Sequence, residues 1–164
     1  MRGRRWWCVA GVLVLLACDG YGAGTSPEAP STIAAPSVSA DLVFCVDEAN
    51  RYRARVGAAP LARSAALESY AAQAARVDGT AREGHRHFRL TGGGGGLVLA
   101  ENELPWWPLN WFGTVRELIR AGFAAFWDEG PSGGHYRNLM GPYREIGCGI
   151  HEESGLVTVV VAFR

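Results

Sequence analysis

The chain has 164 residues, 48% of them apolar or aromatic, with 16 basic and 16 acidic side chains. That supplies enough apolar surface for one buried core and excludes wholesale disorder. Arginine alone carries the basic charge, scattered without a patch, which argues against a nucleic-acid partner.

The first residues, "MRGRR", are positively charged, and the apolar run "WWCVAGVLVLLA" that follows is shorter than the roughly 20 residues a membrane-spanning helix needs. Residues 1–17 therefore read as an export signal. The run ends in "LLAC", Leu15 to Cys18, which resembles the bacterial lipobox, where the cysteine is lipidated and becomes the first mature residue. The alternative is an ordinary signal peptide in which Cys18 is incidental. Either way the chain is expected outside the cytoplasm, lipid-anchored in the cell envelope or secreted. With Cys8 in the signal and Cys18 lipidated, Cys45 and Cys148 remain, and in an oxidising compartment two such cysteines pair. The bridge would close a loop of about 100 residues, worth about 4–5 kcal/mol in the chain-entropy account. The alternative, a catalytic thiol, lacks a histidine next to either cysteine in sequence.

Residues 18–40, rich in Gly, Ser, Thr, Pro and Ala, read as a flexible tether, leaving residues 41–164 as the domain. Asp41 is placed to cap a first helix that buries Cys45, Ala49, Tyr52 and Val56, with Gly57 as its stop. Ser64 opens a second helix carrying Leu67, Tyr70, Ala71, Ala74 and Val77 and ending at Gly79; its alanine-rich face predicts close packing. Residues 80–100 break the helical pattern. Gly92 to Gly96 lack the lysine of a phosphate-binding loop, which argues against a phosphate cradle. "LVLAEN" predicts a short strand that carries Glu101 and Asn102 out of the core. "ELPWWPLNWF" predicts an aromatic loop holding Trp106, Trp107 and Trp111. Thr114 and Glu117 form a capping box for a third helix, with Val115, Leu118, Ile119, Gly122 and Phe126 on one face and its end near Glu129. "HYRNLM" predicts a single helical turn. "REIGCGI" and "LVTVVVAF" predict a hairpin with Val157, Val159, Val161 and Phe163 on one face. Helices first and a small antiparallel sheet later make the class α+β.

Four polar residues stand out by position: His85 in a loop, Glu101 at a strand end, Glu129 at a helix end and His135 in a glycine-flanked turn. Two histidines and two carboxylates are a set that zinc or another divalent cation accepts. Each residue taken alone also reads as an ordinary structural or solvated one. The helical zinc signature His-Glu-x-x-His is absent and no nucleophile with its base is legible, so the chemistry depends on convergence of distant residues.

Several segments resemble the CAP superfamily, the SCP-like domain of cysteine-rich secretory, antigen 5 and pathogenesis-related proteins. "VDEANRYRARVGAAPL" is similar to the family's opening helix, with Asn50 to Arg53 as its Asn-x-x-Arg and Pro60-Leu61 as its turn; "LESYAAQAA" is similar to the second helix. "AEN", Ala100 to Asn102, resembles the Gly-Glu-Asn signature with alanine in place of glycine. "FWDEGPSGGHYRNLMGPYREIGCGI" resembles the family's Trp, Gly-His-x-x-Asn-Met and glycine-bearing strand. The resemblance implies a three-layer α-β-α sandwich with a cleft built from His85, Glu101 and His135. His87 is the rival of His85, because alternation in an extended segment would point both the same way. Asn102 lies beside Glu101 in the same signature. Glu129 lies six residues before His135, nearer than the second glutamate of longer eukaryotic members. The resemblance further implies a binding protein for lipid, sterol-like or glycan ligands, and the chain is expected to be a monomer; Trp106, Trp107 and Trp111 read either as a ligand-binding surface beside the cleft or as plain core packing. The alternative it leaves is a metal-dependent hydrolase of peptide or cell-wall material, with Glu129 as the base that activates water.

Overall fold

The computed structural model describes residues 36–164. The export segment, Cys18 and the tether through residue 35 lie outside the described residues.

Helix α1 spans Pro36–Ala54 and so begins ahead of Asp41. Proline is well suited to a first helical turn, where its missing N–H costs no bond. Asp41 therefore does not cap the helix; its Oδ1 accepts from Arg116 Nε at 2.7 Å instead. A two-residue strand β1 (Ala62–Arg63) leads into α2 (Ala65–Ala81), which runs past Gly79 and closes at Arg82 in the left-handed region, φ 54°. An interior glycine weakens a helix by about 1 kcal/mol without ending it when packing holds the turn. Helix α3 (Arg86–Gly96) corrects the expectation of an unbroken irregular stretch: Arg86 to Thr91 are right-handed, and Gly92 to Gly95 then wind left-handed with φ between 58° and 71°. Strand β2 spans Ala100–Pro108 and absorbs most of what was expected to be an aromatic loop. A bulge between Leu104 and Trp107 accommodates Pro105, which has no N–H for the ladder, and leaves Trp106 at φ 37°.

After a 3₁₀ turn at Leu109–Trp111 comes α4 (Val115–Asp128), whose Glu117 N–H donates to Thr114 Oγ1 at 3.2 Å. Helix α5 (Gly134–Met140) makes two turns where one was expected. Strands β3 (Glu145–Glu153) and β4 (Leu156–Phe163) form the expected hairpin, though β3 continues through much of the segment read as its turn.

The sheet order is β1-β3-β4-β2, antiparallel among the three long strands, with β1 added parallel to β3. Val157, Val159, Val161 and Phe163 do share one face, where they pack with Cys45, Tyr52, Phe123 and Leu139 of α1, α4 and α5. Val160 and Ala162 face the other way, into Leu67, Tyr70, Ala71 and Ala74 of α2. The fold is thus α+β in three layers, with the sheet in the middle. On the second face Gly147 and Gly149 let α2 approach the sheet: a Cβ on either would lie 2.1–2.3 Å from α2 backbone atoms at Leu67–Glu68 and Ala71–Ala72. On the first face Cys45 and Cys148 form the disulfide that joins α1 to β3.

Candidate functional site

Strand β2 lies at the sheet edge, and its alternation sends successive side chains to opposite layers. Glu101 and Glu103 stand opposite Ala162 and Val160, on the α2 side; Asn102 stands opposite Val161, on the α1 side. Two histidines, one from each layer, meet over this edge.

His85 precedes α3 in the left-handed region, φ 55°, a conformation enriched in histidine among non-glycine residues. Its N–H donates to Glu103 Oε2 at 2.6 Å, and its Nδ1 lies 2.8 Å from Glu101 Oε1. His135 sits in the first turn of α5. Glu129 supplies partners for the unpaired N–H groups of that turn, accepting from His135 N at 2.9 Å, while its other oxygen lies 2.5 Å from His135 Nδ1. The two imidazoles stack at 6.3 Å between centroids, and Phe126 lies 4.9 Å from the His135 ring. Amides brace the gap: Asn102 Nδ2 donates to the His135 carbonyl at 2.9 Å, and Asn138 Nδ2 reaches Asn102 Oδ1 at 3.0 Å and the Glu101 carbonyl at 3.1 Å. An open cavity of about 320 Å³, lined by His85, Phe88, Leu99, Ala100, Glu101 and Asn138, gives access.

A carboxylate only accepts, so each histidine presents Nδ1–H to its glutamate and, in its neutral form, keeps the Nε2 lone pair for something else. The hydrogen bond that His85 Nδ1–H donates to Glu101 outweighs desolvation and raises the His85 pKa. Desolvation pulls Glu129 upward, but its bonds from His135 outweigh this and leave its pKa below the ordinary value. Beneath His85, burial drives the Glu103 carboxyl up to about 7 and also raises Asp78.

The cysteine-rich secretory protein family model, CAP, matches residues 46–163. The chain belongs to that family. A structural comparison finds a cysteine-rich secretory protein from Staphylococcus aureus at 15% identity and a TM-score of 0.49, covering 77% of this chain and 39% of that one. This chain thus spans well under half the length of that protein. A search of curated proteins finds no match.

In this CAP chain His85, Glu101, Glu129 and His135 come together as two histidine–carboxylate pairs. His87 does not join them: its N–H donates to Asp78 Oδ1 at 2.7 Å and its ring lies against Tyr70 on the buried side. The segment is helical from Arg86, so alternation does not apply and two residues apart means nearly opposite faces. Asn102 is fully buried and acts as a brace rather than as a cleft surface. The indoles are not beside the cleft. Trp107 lies six residues along β2 from Glu101, about 20 Å away at strand spacing, and stacks on Phe112; Trp111 is 76% exposed on a separate groove with Arg51 and Arg120. Glu103, Asp78 and Asn138 are contributors that sequence reading left without a role. Glu103 was accessible by its two-residue spacing from Glu101, which puts both on one strand face; nothing local marked Asp78.

Proposed function

We propose that this CAP chain is an exported envelope protein, tethered by lipid on Cys18, whose cleft binds a polar, hydroxyl-rich ligand of the glycan class with the help of a divalent cation. The observation that carries this reading is the paired arrangement of the cleft: two stacked imidazoles, each with Nδ1 held by a carboxylate, and no hydrogen bond to either Nε2 among the described residues. That is the orienting arrangement of histidine metal ligands, in which the outer carboxylate fixes the tautomer and raises ligand basicity. His85 and His135 would hold the ion, and Glu101 and Glu129 would orient them. A bound zinc supplies a Lewis-acidic point for ligand oxygens.

The walls of the cavity are mixed, with Phe88, Leu99 and Ala100 beside His85, Glu101 and Asn138, and this suits a sugar, whose ring has an apolar face and a hydroxyl-bearing edge, better than an acyl chain. Glu129 gives both oxygens to His135, so its role in this reading is orientation rather than activation of water.

Calorimetric titration of zinc into the whole chain tests the proposal, with His85→Ala and His135→Ala as comparisons. Micromolar or tighter binding lost in both variants is the expected result, followed by chelator-sensitive retention on cell-wall glycan. Absence of zinc binding in the folded wild type, or equal binding in the variants, would reject the metal role.

A further inference from the structure

Directly inside His85 is a second group of donors. One ligand atom from each of His85, Glu101 and Glu103 lies within 4.8 Å of the others. Glu101 is 6% exposed and Glu103 4%, yet Oε2 of Glu101 and Oε1 of Glu103 have no hydrogen-bond partner among the described residues. Asp78, fully buried nearby, adds a third carboxylate, and its Oδ2 is also unpartnered. Burial disfavours an ionised carboxylate without a partner, so acids packed in this way either hold protons or gather around a cation, and one imidazole offers at most a single positive charge to the three of them. The nearby Arg86 and Arg89 do not supply the charge, because both pair with Glu83.

We propose that His85 Nδ1, Glu101 and Glu103 form an inward divalent-cation site, distinct from the histidine pair and selective for a carboxylate-preferring ion of the manganese class. Two carboxylates and one imidazole form a harder donor set than two imidazoles, so the inner position suits Mn²⁺ and the outer pair suits Zn²⁺. The cavity that exposes His85 and Glu101 is the entry route. Binding at Nδ1 moves the imidazole proton from Nδ1 to Nε2 and opens its hydrogen bond to Glu101. A neutral imidazole has one lone pair to give, so an ion at Nδ1 and an ion at Nε2 exclude each other. Glu103 is what the inner site has and the outer one lacks. The inference rests on the cleft reading above only through the shared His85 and Glu101.

The test is Mn²⁺ titration of the whole chain, followed by loss of the free-ion electron paramagnetic resonance signal, with nitrogen hyperfine coupling read on the bound ion. The expected result is one bound Mn²⁺ with a nitrogen coupling. Glu103→Gln should weaken it by about tenfold or more, and His135→Ala should leave it within about twofold. Glu103→Asp, which keeps the charge but withdraws the oxygens, provides a second variant and should weaken Mn²⁺ by about fivefold. Melting curves in chelator establish that each variant is folded. Unchanged affinity in the Glu103 variants, no Mn²⁺ binding by the folded wild type, or an equal loss in His135→Ala would overturn the inner site. Zinc lost from His135→Ala while Mn²⁺ is absent from every form would leave the outer-pair reading standing alone.

Discussion

Replacing Glu103 by Gln should make the metal-free protein more stable, and increasingly so as pH rises. The Gln oxygen can still accept the His85 N–H, so the change removes mainly the ionisable proton. Burial places the Glu103 pKa at about 7 in the folded chain, against an ordinary value of 4.5. An acid shifted upward holds its proton in the native state while the unfolded chain has already released it, so stability falls as pH rises from about 4.5 to 7. The difference of roughly 2.5 units amounts to about 3 kcal/mol above pH 7, at about 1.4 kcal/mol per unit. Below pH 4.5 both states are protonated and the ionisation contributes nothing. Denaturant unfolding of wild type and variant in chelator, at steps from pH 4.5 to 8, gives the comparison. The expected stability difference grows towards the alkaline end; any packing change the amide introduces appears as a constant offset. A difference that stays flat across the range would refute the argument that burial, uncompensated by a cation, is what acts on Glu103.

Glu129→Gln should reduce zinc affinity by about 10–100-fold, the usual effect of removing an orienting carboxylate, as measured by the same calorimetry. Gly149→Ala should destabilise the fold by about 3 kcal/mol or more in denaturant unfolding, because the added carbon meets α2 backbone that cannot rotate aside. Reducing the Cys45–Cys148 bridge, which spans a sequence separation of 103, should cost about 4–5 kcal/mol and lower the melting temperature accordingly. Trp111→Ala, at a 76% exposed position, should change stability by less than about 0.5 kcal/mol and leave zinc and manganese binding untouched; a change in metal affinity would contradict the separation of the aromatic end from the cleft.

The parts of this fold legible in sequence are those governed by short periodicities. The alternation Val157, Val159, Val161, Phe163 correctly assigned one sheet face, and the alanine face of α2 correctly announced a close neighbour, now seen to be the glycines of β3. Thr114 with Glu117 marked the start of α4. What failed was set by tertiary context. Pro105 and the tryptophans read as a loop, yet an edge strand tolerates proline at a bulge, and this carried Trp106 and Trp107 along β2 away from the cleft, with Trp111 in the 3₁₀ turn beyond it. His87 was lost to the cleft because α3 starts one residue after His85. Position at loops and element ends, together with the family resemblance, singled out the four residues of the two histidine–carboxylate pairs, but not their pairing, which depends on layers meeting over the edge of β2.

The amide brace has a mechanical consequence. Asn102 is anchored in the sheet and ties α5 to β2 through the His135 carbonyl and Asn138, while Glu101 and Glu103 of the same strand hold His85, so β2 sets the spacing of the two rings like a fixed calliper. Widening the gap would strand buried amide groups, so under the proposed binding role the jaws would discriminate by size at the entrance rather than close around whatever arrives. Captured molecules should therefore exchange without a hinge step, and Asn102→Ala should blunt selectivity among ions of different radius before it abolishes binding.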